Sequence, residues 1–282
     1  MKSDAQLCLL ARQWGASAVP FGLVNAQDWL ETPGAQQALT ALHHAAALRS
    51  VFLLSGPNGS GKSALAGRWM RSLDNRLFYP LCLTQATLSG TALLGALATK
   101  LGKPVSFSRQ PNLQLIEEAL GELERRILVV ILDEAQNYSQ PSLEEVRLLL
   151  GLNLPEQPAF ALVLIGDEYL LASLKLRNQR ALYSRLAGHV SLNPWTPSQC
   201  AQYLSAGLGA VGLSASAIEP AAVELLASAS AGLPRSLCLL ARAAWITAAT
   251  QKAQKITPAH VQAAFQQVPC VPGLLAPAAT EA

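Results

Sequence analysis

The sequence predicts an α/β fold: a parallel β-sheet covered by helices, followed by a small all-helical lid domain. Three observations lead to this prediction. Short apolar runs alternate with helical patterns up to residue 194, polar motifs directly follow two of these runs, and only helical patterns follow residue 194. Apolar strands that alternate with helices form a parallel sheet covered on both faces, and ligands bind at the carboxyl ends of its strands.

The first apolar run, residues 51–54, leads into a glycine-rich segment that satisfies the phosphate-loop pattern G-x-x-x-x-G-K-S/T. The segment reads Gly56-Pro57-Asn58-Gly59-Ser60-Gly61-Lys62-Ser63. Its glycines let backbone N–H groups curl around phosphates, Lys62 can reach the β- and γ-phosphates, and the Ser63 hydroxyl is placed for Mg²⁺. We therefore predict an ATP and Mg²⁺ site that extends to Ala64, at the positive end of a helix.

A second motif follows the apolar run at residues 127–132, which ends in Asp133-Glu134. Such a continuous run is typical of a buried parallel strand, here with acids at its carboxyl end. Asp133 can hold the Mg²⁺ shell, while Glu134 can orient and deprotonate a water for attack on the γ-phosphate. The pair predicts an ATPase, which converts ATP and water to ADP and phosphate.

Three further apolar runs predict the rest of the sheet. Residues 77–83 predict a strand, and Pro80 indicates that it lies at a sheet edge or contains a bulge. Residues 160–165 predict another strand, and residues 189–192 predict a last short one.

The helices are predicted from their start signals. Ser142 and Glu145 predict a capping box that opens one helix, and Thr196 and Thr257, each followed by proline, predict the starts of two lid helices. We predict four segments along the chain: an N-terminal helical segment at 1–20, a nucleotide-binding core at 21–194, a helical lid at 195–268 and a disordered tail at 269–282.

Composition favours a cytoplasmic protein. With 51% hydrophobic and 14% charged residues the chain is not disordered, its uncharged stretches are interrupted by proline, glycine and polar residues, and its start does not resemble a signal peptide. The five cysteines are scattered without a C-x-x-C motif, so neither a disulfide framework nor a zinc site is expected. A net charge of +3 permits contact with nucleic acid without demanding it.

Four sequence blocks in a fixed order accompany the phosphate loop. They are Asp133-Glu134-Ala135-Gln136, Leu164-Ile165-Gly166-Asp167, Ser184-Arg185-Leu186 and Gly232-Leu233-Pro234-Arg235. From about Phe21 to Val268, the chain resembles the AAA+ ATPases of the ExeA, TniB and TnsC group. That group contains transposon target-selection ATPases and a secretion-linked ATPase, and the resemblance implies an AAA+ type of P-loop NTPase core.

The resemblance also implies roles for three more residues. Asp167 stands where such proteins carry the first sensor, a polar residue that touches the γ-phosphate or the attacking water. Arg235 stands as the second sensor and Arg185 as the finger that reaches a neighbouring subunit's nucleotide, with Arg180 as the competing finger. Asp167 departs from the usual neutral side chain, and an acid that faces a phosphate is unfavourable unless an arginine or Mg²⁺ pairs with it.

DNA contact is inferred from the same resemblance. In the transposon ATPases, elements after the second strand contact DNA in the central pore of a ring or a helical assembly. Here that region is about 84–112, and its only charged residues are Lys100, Lys103 and Arg109. Duplex DNA and further copies of this chain are thus expected partners.

The sequence therefore predicts an ATPase that assembles as a homo-oligomer, ring or filament, on duplex DNA with ATP. It would regulate DNA transposition, a form of recombination, by selecting or presenting target DNA to a transposase, with a further targeting subunit as another partner. Two alternatives stay open. One is a secretion-associated ATPase like ExeA, although we expect neither the membrane segment nor the cell-wall-binding region of those proteins. The other is a nucleotide-gated scaffold with negligible turnover, which Asp167 favours.

Overall fold

The computed structural model describes residues 2–22, 30–86, 88–152, 157–176 and 179–268. The chain divides into two compact units, an α/β unit formed by residues 33–57 and 62–192, and a helical unit to which the described residues of 1–32, 58–61 and 193–282 belong. The predicted tail at 269–282 lies outside the described residues. Within the described part of the chain, none of the helices has the length and apolar character that crossing a membrane requires.

The α/β unit is built on a five-stranded sheet whose strands are all parallel and follow the order β2-β3-β4-β1-β5. The strands are β1 (Val51–Ser55), β2 (Phe78–Leu83), β3 (Ile127–Leu132), β4 (Ala161–Ile165) and β5 (Leu186–Ser191). The predicted parallel sheet is confirmed, and β2 lies at an edge, as Pro80 indicates, because proline cannot donate to a second neighbouring strand. Strand β5 begins at Leu186, three residues before the predicted start.

Twelve α-helices occur in the residues that the structure describes. They are α1 (Lys2–Gln13), α2 (Pro33–Ala47), α3 (Lys62–Ser72), α4 (Gly90–Lys100), α5 (Arg109–Glu122), α6 (Gln140–Leu150), α7 (Leu170–Leu174), α8 (Arg180–Tyr183), α9 (Pro197–Gly209), α10 (Pro220–Ala229), α11 (Pro234–Thr250) and α12 (Pro258–Phe265). The central strands are buried on both faces; Leu53, Ile131 and Leu164 are fully buried. Burial of each such leucine or isoleucine stabilises the fold by about 1.5–3 kcal/mol. The sheet therefore holds the ends of the loops that follow its strands in fixed positions.

The predicted capping box at Ser142 is wrong. Helix α6 has its N-cap at Ser139, whose hydroxyl accepts a hydrogen bond from the Ser142 backbone at 3.3 Å. Ser142 is buried, and its own hydroxyl donates to the Leu88 carbonyl at 2.7 Å. Glu145, the predicted box partner, instead forms an ion pair with Arg109. The sequence offers two serines three residues apart, and the earlier one is followed by a proline in the first turn, which favours that start.

The helical unit contains the lid helices and the N-terminal helix. Thr196 caps α9 in a complete capping box with Gln199, and Thr257 is the N-cap of α12, as predicted. Helix α1 belongs to this unit as well. Directly after it, the ring of Trp14 meets that of Trp245 edge to face, with centroids 6.1 Å apart. The aromatic contact stabilises the pair by about 0.5–1.5 kcal/mol beyond its buried area.

A substitution at Gly232, in the turn before α11, would test the packing of this unit. The φ of Gly232 is +70°, and a Cβ at this position would lie 2.2 Å from the backbone oxygen of Trp195. We expect Gly232→Ala to lower the free energy of unfolding by about 2–4 kcal/mol, through backbone strain and overpacking together. The control is Gly209→Ala at the end of α9, where a Cβ meets nothing within 4 Å. Urea denaturation followed by circular dichroism compares the two, and equal midpoints would contradict the close approach at Trp195.

Candidate nucleotide-binding site

The phosphate loop connects β1 to α3 and has the backbone that its glycines allow. Gly56, Gly59 and Gly61 have φ values of 148°, 89° and 96°. Residues other than glycine rarely adopt backbone angles in this range. Helix α3 begins at Lys62, and its buried residues Leu65 and Trp69 fix it in the core. The first backbone N–H groups of α3 therefore lie at the end of the loop, where an anion is favoured.

Lys62 is held inside the loop. It is only 7% exposed, and its Nζ donates to the carbonyl oxygens of Gly56 at 2.8 Å and Pro57 at 3.1 Å. Burial lowers the pKa of Lys62, while the carboxylates of Glu134 and Asp133 act in the opposite direction. Because an ammonium group donates three hydrogen bonds, phosphate oxygens can take the place of these carbonyls.

Ser60, also in the loop, supplies a test of whether the residues present fit a phosphate. Its hydroxyl is buried, and among the described residues no partner within hydrogen-bond distance satisfies it. A buried hydroxyl without a partner costs about 1–3 kcal/mol, and a bound phosphate would supply the missing partner. For Mg²⁺, the exposed hydroxyl of Ser63 and the carboxylate of Asp133 provide the oxygen ligands that this ion prefers.

The two acids follow β3 in a strained turn. Glu134 has a φ of 53°, an uncommon left-handed conformation for a residue with a side chain. The Asp133 carboxylate supports it by accepting a hydrogen bond from the Glu134 backbone at 3.0 Å. Glu134 is exposed and can meet a water, whereas Asp133 is half-buried. The turn thus gives the two adjacent carboxylates different positions and different surroundings.

Gln136 is a residue at this site to which the sequence analysis assigns no role. Its Nε2 donates to the Glu134 carboxylate at 2.7 Å, and its Oε1 accepts from the backbone N–H of Asp167 at 3.3 Å. The carboxylate of Asp167 accepts a hydrogen bond from the Tyr169 backbone at 3.0 Å, within the turn that leads into α7. The sequence does show an amide two residues after Glu134, which could have drawn attention to Gln136. Its second contact could not be predicted, because Asp167 is 31 positions away in the sequence.

Arg235 lies in the first turn of α11, and its backbone N–H donates to the carbonyl of Gly59 at 3.2 Å, a contact within the helical unit. A Cβ on Gly59 would lie 3.3 Å from the Cβ of Arg235, so only glycine permits this approach without displacement. The Arg235 side chain is exposed. The contact thus places the backbone of Arg235 beside Gly59.

Arg185 lies at the opposite end of the sheet from its own phosphate loop. It immediately precedes β5, where Leu186 pairs with Val51 at the start of β1, while the loop follows Ser55 at the other end. Four residue steps of a strand separate these ends by about 13 Å. The Arg185 guanidinium makes a long hydrogen bond of 3.4 Å to the Arg147 carbonyl. Arg180, the competing finger, is the exposed first residue of α8.

The three basic residues predicted to contact DNA differ in their surroundings. Lys103 is paired with Glu122, and Arg109 forms a two-pronged ion pair with Glu145 at 2.7 and 2.9 Å. Lys100 lies exposed in the last turn of α4. Two of the three predicted charges are thus partly neutralised within their own unit.

Between α4 and α5, the structure exposes a side chain that sequence reasoning missed. Phe107 is 103% exposed and Val105 is 64% exposed. The loop that carries them is fixed by buried Asn112, whose side chain accepts from the Ser106 N–H at 2.9 Å and donates to the Ser106 carbonyl at 2.8 Å. An isolated phenylalanine in a loop gives no sequence signal for exposure, since most phenylalanines are buried.

Comparisons with known proteins show what this chain is similar to. An AAA domain matches residues 46–174. The chain is 27% identical over 222 residues to General secretion pathway protein A of Aeromonas hydrophila, a match that covers 77% of this chain and 40% of that protein. It is also 27% identical over 169 residues to ATP-dependent target DNA activator B of Escherichia phage Mu, a match that covers 58% of this chain and 51% of that protein. The chain spans about half the length of these curated relatives or less.

Among solved structures, the chain superposes on the ORC1 protein of Aeropyrum pernix in complex with DNA. The TM-score is 0.68 at 20% identity, with 87% of this chain and 68% of that chain covered. At this identity the likeness concerns the fold alone. Residues 46–174 match the model of an AAA domain, and the predicted resemblance of the chain to the AAA+ ATPases of the ExeA, TniB and TnsC group is confirmed.

Proposed function

We propose that this chain is an ATPase that assembles with ATP on duplex DNA and regulates transposition by presenting target DNA to a transposase. The observation that carries the ATPase part is the environment of Lys62. Its ammonium is buried in a phosphate loop, and the carboxylates that act on it most strongly are those of Glu134 and Asp133. The similarity to a phage target DNA activator supports the transposition part.

The chemistry follows from the side chains. Lys62 binds oxygens of the β- and γ-phosphates, and Arg235 adds positive charge beside the loop. Mg²⁺, held by Ser63 and Asp133, would neutralise phosphate charge. Glu134 accepts a proton from the attacking water as the water oxygen bonds to the γ-phosphorus and the bond to the β–γ bridging oxygen breaks. The electron pair of that bond leaves with ADP, and the proton on Glu134 returns to solvent.

Oligomerisation is supported by the position of Arg185. An arginine about 13 Å along the strands from its own loop is badly placed to act in its own subunit but can reach a neighbour. It also lines a groove that contains Leu48, which is 73% exposed. We propose that a second copy of this chain covers this groove and brings its own bound ATP to Arg185.

The loop around Phe107 is our candidate DNA-contacting surface. An apolar side chain on a fixed loop can insert between base steps or stack on a base, at little cost in side-chain entropy. Lys100 is near in sequence and exposed, so it is suited to a phosphate contact. Lys103 and Arg109 would contribute to DNA binding only by sharing their charge with Glu122 and Glu145.

The test of this surface is anisotropy of a labelled DNA duplex, titrated with protein at several salt concentrations with and without a slowly hydrolysed ATP analogue. We expect DNA binding to depend on ATP. The logarithm of the association constant should fall linearly with the logarithm of the salt concentration, because phosphate contacts release counterions. Phe107→Ala should weaken binding by about 5–150-fold, the range for loss of one stacked base. Lys100→Ala should reduce the salt slope by about one.

The matched control is Leu77→Ala, which removes another exposed apolar side chain of the same unit and should leave the affinity unchanged. If Phe107→Ala binds DNA like this control, the loop is not the DNA surface. Equal binding with and without nucleotide would contradict assembly on DNA driven by ATP.

A secretion-linked ATPase is the second candidate function. The match to General secretion pathway protein A covers 77% of this chain, against 58% for the phage activator. In that case ATP alone should suffice for assembly, and duplex DNA should have no effect. The scaffold alternative is favoured by the Asp167 carboxylate, which is engaged in its own turn, and it predicts ATP binding without measurable phosphate release.

A further inference from the structure

The side chain of Gln136 joins two parts of the site that the sequence separates widely. Gln136 lies in the 3₁₀ turn Ala135–Asn137, directly after β3 and the two acids. One end of its amide contacts the Glu134 carboxylate at 2.7 Å, and the other contacts the backbone N–H of Asp167 at 3.3 Å. The candidate proton acceptor is thereby tied to the end of β4.

The orientation of this amide follows from its partners. A backbone N–H can only donate, so the amide oxygen must face Asp167. An ionised carboxylate can only accept, so the amide nitrogen must face Glu134. Both contacts are satisfied by one orientation and neither by the flipped one.

The space for this amide is built into the fold at Gly166. A Cβ at this position would lie 2.7 Å from the Gln136 Oε1 and 2.4 Å from the side chain of Leu170. The backbone N–H of Gly166 also donates to the carbonyl of Leu54 at 3.1 Å, at the end of the strand that leads into the phosphate loop. Gln136 therefore connects Glu134 with the strand beside the phosphate loop.

We propose that Gln136 is the positioning residue that holds Glu134 for water activation and replaces the neutral polar side chain that Asp167 does not supply. Asp167 is an acid whose carboxylate is occupied by the Tyr169 backbone, and a second acid facing the γ-phosphate would repel it. The uncharged amide of Gln136 carries a second N–H, which can donate to the attacking water or to a γ-phosphate oxygen without that repulsion. This inference rests on the proposed ATPase function.

The test measures ATP binding by titration, and phosphate release at saturating ATP in the presence of duplex DNA, which the proposed assembly requires. Gln136→Ala should lower kcat by about 10–100-fold, since a small displacement of a catalytic group has effects of this size, and should leave the dissociation constant for ATP within about twofold. The control is Asn137→Ala, which removes an exposed amide from the same turn and should keep the wild-type kcat.

A double-mutant cycle separates positioning from a structural role. If Gln136 acts mainly through Glu134, then adding Gln136→Ala to Glu134→Gln should cause a much smaller loss in a single-turnover measurement than Gln136→Ala causes alone, because only the contact of its second N–H is still removed. A full additional loss in the double variant, or a wild-type kcat for Gln136→Ala, would overturn the inference while leaving the ATPase function in place. A wild-type chain that binds ATP but releases no phosphate would instead overturn the proposed function, and this inference with it.

Discussion

Glu134→Gln should retain ATP binding and lose hydrolysis by about 10²–10⁴-fold, the contribution of a positioned general base. The amide has nearly the shape of the carboxylate, and its oxygen can still accept the hydrogen bond from Gln136 that is 2.7 Å long in the wild type. The substitution therefore removes the proton acceptor with little change in packing. Nucleotide titration and phosphate release measure the two effects separately.

The matched control for this change is Glu168→Gln. Glu168 is exposed, and like Glu134 it acts electrostatically on Lys62, so the substitution removes the same charge from the same neighbourhood. We expect its turnover to stay within about threefold of wild type, since it removes no proton acceptor. If Glu134→Gln hydrolyses ATP at the wild-type rate, Glu134 is not the base; if both variants lose turnover equally, local charge rather than proton transfer is responsible.

Arg185→Ala should bind ATP normally as a monomer yet neither hydrolyse it nor form stable oligomers. Arginine fingers stabilise the charge of the phosphoryl group during its transfer and raise kcat by a factor of about 10³–10⁵. The matched control is Arg180→Ala, which removes the exposed arginine five residues earlier and should retain activity. Sedimentation with ATP and duplex DNA measures assembly, and phosphate release under the same conditions measures turnover, in the wild type and in both variants.

Mixing two inactive variants tests whether Arg185 acts on a neighbouring subunit. Lys62→Ala lacks a working phosphate loop but keeps the finger, and Arg185→Ala has the reverse. In an equal mixture about a quarter of random head-to-tail pairings combine an intact loop with an intact finger, and these interfaces can form, so some activity should return. No recovery, despite proof that the variants co-assemble, would mean that Arg185 acts within its own subunit or only structurally, and Arg180 would become the better candidate.

Features set by neighbouring residues were the ones that the sequence predicted well. The backbone of the glycine-rich loop between β1 and α3, the buried strand β3 and the edge position of β2 each depend on a short segment whose residue types restrict the backbone directly. The Thr196 cap is similar, because the threonine and its partner Gln199 lie within one turn. Such signals need no knowledge of the rest of the fold.

Contacts between distant segments were not predictable in the same way. Glu145 is a plausible cap partner from its spacing, yet it pairs with Arg109, 36 positions away. The start of β5 was missed because Leu186-Ala187-Gly188 is not an apolar run, although Gly188 is needed there: a Cβ would lie 2.7 Å from the Phe52 ring. The contact of Gln136 with Asp167 and the exposure of Phe107 likewise depend on the packing of whole elements.

Electron microscopy of the protein with a slowly hydrolysed ATP analogue, with and without duplex DNA, tests the central claim most directly. The claim is that ATP and DNA together assemble this chain. We predict rings or helical filaments that enclose the duplex when both are present, and their loss when either is omitted. Assemblies that form equally well without DNA, or particles that stay monomeric with both, would contradict it.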